Sequence, residues 1–297
     1  MGVSSQARET SLIVSSRYFV IGGRGYVGAA LYSSIPNREF AFATASSAFE
    51  GFLRLRLEVP QDFANLPISF GDVVFLTAAI SAPDICVREP HRAWAVNVSG
   101  TSAFIAHVIA RGGRVIFFSS DTVYGDRSNT CDETAVRNPA GAYAEMKAEI
   151  ETRFLGHPLF RSIRLSYVFS REDKFTRYLL GCAERGEVAE LFHPFYRAIV
   201  YRDDVVEGAL ALARHWDDFP QPVINFCGPE VLSRIDFAER LMAGALPSLR
   251  FQVTEPGEEF FHNRPRVIAM SSSIFPSLLG RSATTLADAV RIEFGKN

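Results

Sequence analysis

Tyr143 and Lys147 stand four residues apart in Pro139-Ala140-Gly141-Ala142-Tyr143-Ala144-Glu145-Met146-Lys147, which puts both on one face of a helix. A tyrosine of ordinary pKa, about 10, is a poor acid–base catalyst at neutral pH. A neighbouring ammonium stabilises the phenolate and lowers that pKa. Upstream, Ser119-Ser120-Asp121-Thr122-Val123-Tyr124-Gly125 supplies serine hydroxyls that can hydrogen-bond a carbonyl or alcohol oxygen. These residue types suit proton transfer to an oxygen while a nicotinamide exchanges hydride with the adjoining carbon.

A second constellation would hold that nicotinamide. Gly22-Gly23-Arg24-Gly25-Tyr26-Val27-Gly28 satisfies Gly-x-Gly-x-x-Gly from Gly23 and Gly-x-x-Gly-x-x-Gly from Gly22. Glycines at these places permit a tight turn, close backbone approach to a pyrophosphate, and helix–sheet packing. The next helix then aims its first N–H groups at the phosphates. An acid that holds the ribose 2′-hydroxyl of NAD usually stands about 20 residues on. That place falls near Thr44-Ala45-Ser46-Ser47, where no acid stands. Hydroxyls such as Ser46 tolerate a 2′-phosphate, and Arg24 can oppose its charge, so NADP(H) is favoured over NAD(H).

These groups must be positioned by regular elements. Apolar or β-branched runs predict strands over 17–22, 39–44, 52–57, 72–78, 113–119, 160–165 and 222–226. Helical patterns fall near 90–111, 140–156, 173–186, 203–215, 233–245 and 284–294. Continuous apolar strands separated by helices mean a parallel sheet covered on both faces. The expected fold is therefore α/β: a Rossmann doubly wound parallel sheet with a smaller C-terminal α/β substrate lobe. Residues 1–16 read as a flexible extension and 17–168 as the cofactor-binding domain, with late returns near 199–227. Residues 169–297 form mainly the substrate lobe, which is discontinuous.

Composition narrows the partners. The chain has 297 residues, 47% hydrophobic and 22% charged, with a net charge of −2. That is an ordinary globular balance and calls for neither nucleic acid nor an anionic membrane. Cys86, Cys131, Cys182 and Cys227 are far apart, with no Cys-x-x-Cys, and fit a reduced cytoplasm. The histidines show no metal-ligand spacing, and no metal is expected. No apolar run approaches a membrane-spanning length.

In this order the glycine loop, Ser-Ser-x-x-Val-Tyr-Gly and Tyr-x-x-x-Lys resemble the extended short-chain dehydrogenase/reductase family. Thr77-Ala78-Ala79 and Asn97-Val98-Ser99-Gly100-Thr101 are similar to it as well. The resemblance implies that Tyr143 is the acid/base and that Lys147 also holds the nicotinamide ribose. It makes Ser120, four before Tyr124, the residue that orients the substrate oxygen. It adds Ala78, Ala79, Asn97 and Ser119 to the cofactor site, beside Gly22 to Gly28 and Ser46. Relatives are often homodimers through the helix bearing the tyrosine, and a homodimer is one expected assembly.

The C-terminal half resembles the dTDP-4-dehydrorhamnose reductases of that family. Arg164-Leu165-Ser166-Tyr167-Val168-Phe169, Gly228-Pro229-Glu230-Val231-Leu232-Ser233 and Arg264-Pro265 carry the likeness. Family dehydratases carry Thr-Asp-Glu where Ser120, Asp121 and Thr122 stand, and a threonine cannot serve as their base. The expected activity is reduction of a nucleotide-linked 4-keto-6-deoxysugar. Asp121, Thr122, Arg197 and Arg264 are the expected substrate contacts, the two arginines either on the diphosphate or in salt bridges that stabilise the lobe. Two alternatives stay open. One is a nucleotide-sugar epimerase with retained NAD, and the other is an NADP-binding regulatory subunit without catalysis.

Overall fold

The computed structural model describes residues 16–127 and 129–295. The expected extension over 1–16 lies outside the described residues apart from Ser16. In chain order the strands are β1 (Tyr18–Ile21), β2 (Ala41–Ala45), β3 (Leu53–Arg54), β4 (Val73–Leu76), β5 (Arg114–Ser120), β6 (Phe160–Leu165), β7 (Val168–Phe169), β8 (Val188–Phe192), β9 (Tyr196–Ala198), β10 (Val200–Tyr201), β11 (Val223–Phe226), β12 (Val231–Ser233), β13 (Arg250–Thr254) and β14 (Val267–Ile268). The helices are α1 (Tyr26–Ser34), α2 (Pro83–Arg88), α3 (Pro90–Trp94), α4 (Thr101–Ile109), α5 (Ala142–Phe154), α6 (Lys174–Arg185), α7 (Arg202–Arg214), α8 (Arg234–Gly244), α9 (Glu258–Phe261), α10 (Ile274–Leu279) and α11 (Leu286–Phe294).

Seven parallel strands make the central sheet, in the order β11-β6-β5-β4-β1-β2-β3. The side-chain period of two sends alternate residues to opposite faces. Val20, Phe75, Ile116 and Phe118 pack with Leu31 of α1, Val205 and Leu212 of α7, and Phe275 of α10. Phe19, Val74, Leu76, Val115 and Phe117 pack with Phe104 and Val108 of α4 and with Met146 and Ile150 of α5. Both faces are covered, which explains why the strands read as unbroken apolar runs. The strand order reverses between β1 and β4. A doubly wound sheet opens its binding crevice at such a point, outside the carboxyl ends of the strands.

The later chain builds three small sheets, β12-β9-β14, β13-β8 and β10-β7. Phe169, Phe175, Leu179, Phe237, Leu241 and Val290 make a separate core there. β11 hydrogen-bonds to β6 in the main sheet. The helix expected over 90–111 is α3, a π-helical stretch over 95–100, and α4. A Cβ on Gly100 would lie 2.3 Å from the Leu57 carbonyl oxygen, so the wide turn brings this helix directly onto the chain after β3. Among the described residues no helix is long and apolar enough to cross a membrane. All four cysteines are free and buried.

Candidate active site

A cleft of about 550 Å³ lies at the carboxyl ends of β1 to β6. Its size falls within the range of small-molecule sites. At one end the glycine loop crosses under it. Gly22 has φ +88°, and a Cβ there would lie 2.9 Å from Ala78 backbone atoms. A Cβ on Gly28 would lie 2.3 Å from the Gly22 carbonyl oxygen and 2.7 Å from Thr77 Oγ1. Thr77 Oγ1 donates to the Ile21 carbonyl at 2.7 Å, and the Gly23 N–H donates to the Thr44 carbonyl at 3.0 Å. The loop is thus pinned to β2 and β4. The start of α1 carries no side-chain cap, which leaves its first N–H groups directed at the cleft.

Arg24, Gly25, Tyr26, Val27 and Ser46 line this end, with Ala78 and Ala79 opposite. The Arg24 guanidinium lies 4.0 Å over the ring of Phe49. Phe49 packs edge-on against Phe52 at 5.3 Å. Tyr26 ties the loop to the residues after β7, through its hydroxyl donating to Ser170 Oγ at 2.7 Å.

Asn97 is placed differently from the rest. It is buried and does not line the cleft. Its Oδ1 accepts from the Ile80 N–H and its Nδ2 donates to the Ile80 carbonyl, both at 2.9 Å. It therefore holds the loop after β4, whose residues Ala78 to Ser81 form a cleft wall.

At the other end Ser119, Tyr143 and Lys147 face the cleft. Gly141, at φ +90°, turns the chain into α5, so the helix begins at Ala142. Tyr143 and Lys147 occupy its first two turns. Lys147 Nζ donates to the Phe118 carbonyl at 2.7 Å and lies 5.7 Å from the centre of the Tyr143 ring. Burial pushes the Lys147 ammonium down to about 7, opposed by the Glu151 carboxylate. Burial raises the Tyr143 phenol above its ordinary value, with Cys86 and Asp121 adding to the effect. The expected lowering of Tyr143 by Lys147 is therefore not found. Desolvation sets the direction, and the Lys147 ammonium is turned to the Phe118 carbonyl.

The two serines divide. Ser119 Oγ is buried in the cleft without a hydrogen-bond partner among the described residues. Ser120, the last residue of β5, caps the following turn. Its Oγ accepts from the Thr122 N–H at 3.2 Å and lies 3.1 Å from Asp121 Oδ1. Thr122 Oγ1 lies 3.0 Å from the same oxygen. Ser120 is not among the residues that line the cleft.

Behind α5 lies a group of charges absent from the sequence reading. Glu151 is fully buried. It accepts from Arg164 Nη2 at 2.7 Å, from Arg164 Nε at 3.1 Å and from Ser162 Oγ at 2.9 Å. Arg164 Nη1 donates to the Tyr124 hydroxyl at 2.7 Å. The available signal was an arginine in an apolar strand and an acid one turn beyond Lys147.

The two arginines expected at the diphosphate are already engaged. Arg197 is buried, donates to the Tyr196 and Pro265 carbonyls at 2.6 and 2.7 Å, and lies 3.5 Å from Asp121. Burial raises the Asp121 carboxyl despite that partner. Arg264 Nη2 lies 2.6 Å from both carboxylate oxygens of Asp84 and ties the segment after α9 to α2.

The orphaned Ser119 hydroxyl, the uncapped α1 and the glycines with no room for a Cβ fit an elongated dinucleotide. Comparison with known proteins agrees with this shape. The family model described as RmlD substrate binding domain matches residues 16–283. A dTDP-4-dehydrorhamnose reductase of Aggregatibacter actinomycetemcomitans is 23% identical over 250 residues, covering 78% of this chain and 82% of that one. Two solved structures share the fold at low identity. A dTDP-4-dehydrorhamnose reductase of Bacillus anthracis in complex with NADP has a TM-score of 0.78 at 15% identity, over 94% of this chain and 98% of that one. A UDP-glucose-4-epimerase of Stenotrophomonas maltophila with bound NAD has a TM-score of 0.78 at 16% identity, over 93% and 96%.

Proposed function

Because the chain belongs to the RmlD substrate binding domain family, we propose that it is an NADP(H)-dependent oxidoreductase that reduces a nucleotide-linked 4-keto-6-deoxysugar. One observation carries the reading: Tyr143 and Lys147 line the same cleft as the glycine loop. Reduction of a ketone needs a proton donor at the carbonyl oxygen, and a protonated phenol is that donor.

The fold holds the cofactor by its own groups. Gly22 to Gly28 and the free N–H groups of α1 receive the pyrophosphate. Arg24 and Ser46 receive the 2′-phosphate, Ala78 and Ala79 flank the adenosine side, and Ser119 and Lys147 hold the nicotinamide end. Once bound, the dihydronicotinamide supplies hydride to the carbonyl carbon. Tyr143 gives its proton to the carbonyl oxygen, and Ser120, released from its turn, hydrogen-bonds that oxygen. Lys147 compensates the developing phenolate across the helix turn. Asp121 and Thr122 border the sugar. In this reading residues 17–168, with returns near 199–227, serve the cofactor, and 169–297 serve mainly the sugar nucleotide.

The rival epimerase keeps its nicotinamide through turnover. Absorbance of the purified protein separates the two. The reductase reading expects no stoichiometric retained nicotinamide and net NADPH consumption with the keto-sugar. A retained cofactor without net consumption overturns it in favour of the epimerase.

A further inference from the structure

A groove separate from the cofactor cleft is lined by Tyr167, Phe175, Phe195, Arg197 and Arg234. Arg234 opens α8, directly after β12. Its guanidinium lies 4.4 Å over the Phe175 ring and 4.9 Å from the centre of the Phe195 ring. Such stacking fixes the plane of the fork at little further entropic cost. Among the described residues the guanidinium has no hydrogen-bond acceptor and no carboxylate at ion-pair distance. Arg197 across the groove has a nitrogen on each of two carbonyls and a third facing Asp121. Arg264 has its carboxylate on Asp84. Of the three arginines, only Arg234 is held in place without an anion.

The helix start offers no alternative ligand. Ser233 and Asp236 form a capping box over the first amides of α8. An anion in this groove must therefore be met by the guanidinium. The surroundings also call for one. Burial lowers the Arg234 pKa, opposed in part by Tyr167 and Asp173, and the nearby positive charge of Arg264 adds to the lowering. A bound phosphate would relieve both, and a planar guanidinium can grip it through two parallel N–H donors.

We propose that Arg234, clasped between Phe175 and Phe195, is the arginine that binds the anionic diphosphate of the substrate. This assignment rests on the sugar-nucleotide reading and moves the diphosphate contact away from Arg197 and Arg264. Arg197 then acts as a positioning residue that joins the groove to Asp121 at the end of β5. Phe175 and Phe195 hold Arg234 at the angle the diphosphate requires.

The test is calorimetric titration of the full-length protein with dTDP and with UDP, for the unaltered chain, Arg234→Gln and Arg234→Lys. Titration with NADPH serves as the control for folding. The expected result is at least about a tenfold weaker diphosphate affinity in Arg234→Gln, partial retention in Arg234→Lys, and unchanged NADPH affinity. Arg234→Gln affinity within about twofold of the unaltered chain overturns the assignment. So does failure of the unaltered protein to bind either nucleotide. If dTDP or UDP binding depends on Arg234 but no nucleotide-linked keto-sugar is reduced, the reductase reading fails and the assignment of Arg234 stands.

Discussion

Glu151 and Arg164 hold α5 against β6, and removing one without the other should damage the protein far more than removing both. Glu151 is fully buried, and the Arg164 side chain is 3% exposed. Glu151→Leu leaves Arg164 charged, with only the Tyr124 hydroxyl as partner, in a site water does not reach. Breaking a buried pair from one side costs about 3–5 kcal/mol, because an uncompensated charge remains. Arg164→Met leaves the Glu151 carboxylate with Ser162 and, at 3.4 Å, Arg137. Arg137 is 27% exposed and also bonds the Ala148 carbonyl, so it compensates only in part. The double variant Glu151→Leu/Arg164→Met removes both charges and keeps most of the volume. What remains is the lost acceptor of Ser162 Oγ, at roughly 1–3 kcal/mol, with smaller losses at the part-exposed Arg137 and at the Tyr124 hydroxyl. Urea denaturation of all four proteins measures the cycle, and the coupling between the two sites should be at least about 2 kcal/mol. Additive losses, or single variants that each lose under about 1 kcal/mol, would refute the view that this pair anchors the helix carrying Tyr143 and Lys147.

Three further outcomes follow from other parts of the site. Phe49→Ala frees Arg24 and should weaken NADPH binding by roughly threefold to tenfold, the worth of a partly exposed cation–π contact. NADH affinity should not change, and equal effects on both cofactors in a fluorescence titration would dissociate Phe49 from the 2′-phosphate. Gly28→Ala puts a Cβ 2.3 Å from the Gly22 carbonyl oxygen, where backbone must move. It should cost about 1–3 kcal/mol of stability and abolish measurable dinucleotide binding; normal affinity would contradict the loop geometry. Lys147 has a folded pKa pushed down to about 7. Between there and its unfolded value the unfolded chain binds more protons, so this group makes stability rise with pH, by about 1.4 kcal/mol per unit. In cofactor-free protein, Lys147→Met should therefore be more stable than the parent at and below pH 7. The gap should close as pH rises toward 10, and a gap independent of pH would show that Lys147 is not buried as described.

Much of the scaffold was legible in the sequence. All seven strands of the central sheet lie within or beside the expected ranges. Most are apolar on both faces, β3 (Leu53–Arg54) and the arginine-bearing β6 being the exceptions. The glycine loop and the helix bearing Tyr143 and Lys147 were legible because the signals that mark them are local in sequence. The small strands β7 to β10 and β12 to β14 were not: β7, β10 and β14 are two residues long, and β8, β9 and β13 interrupt their apolar residues with charged or polar ones. Asn97 was legible as a marked position but not in its contact. The bond to Ile80 crosses 17 residues of sequence and exists only once the π-helical turn forms. The roles of Arg197, Arg234 and Arg264 were illegible for the same reason. Which guanidinium finds a carbonyl, a carboxylate or an open groove is settled by chain crossings far apart in sequence.

The central claim is that Tyr143 gives the proton that completes ketone reduction at the nicotinamide end of the cleft. The direct measurement is NADPH consumption with a dTDP-linked 4-keto-6-deoxyhexose, for the unaltered protein and Tyr143→Phe, beside the NADPH affinity of each. The unaltered protein should consume one NADPH per keto-sugar. In the variant, turnover should fall by about 100-fold or more, the contribution of a positioned general acid, while NADPH affinity is unchanged. Undiminished turnover in Tyr143→Phe would contradict the claim.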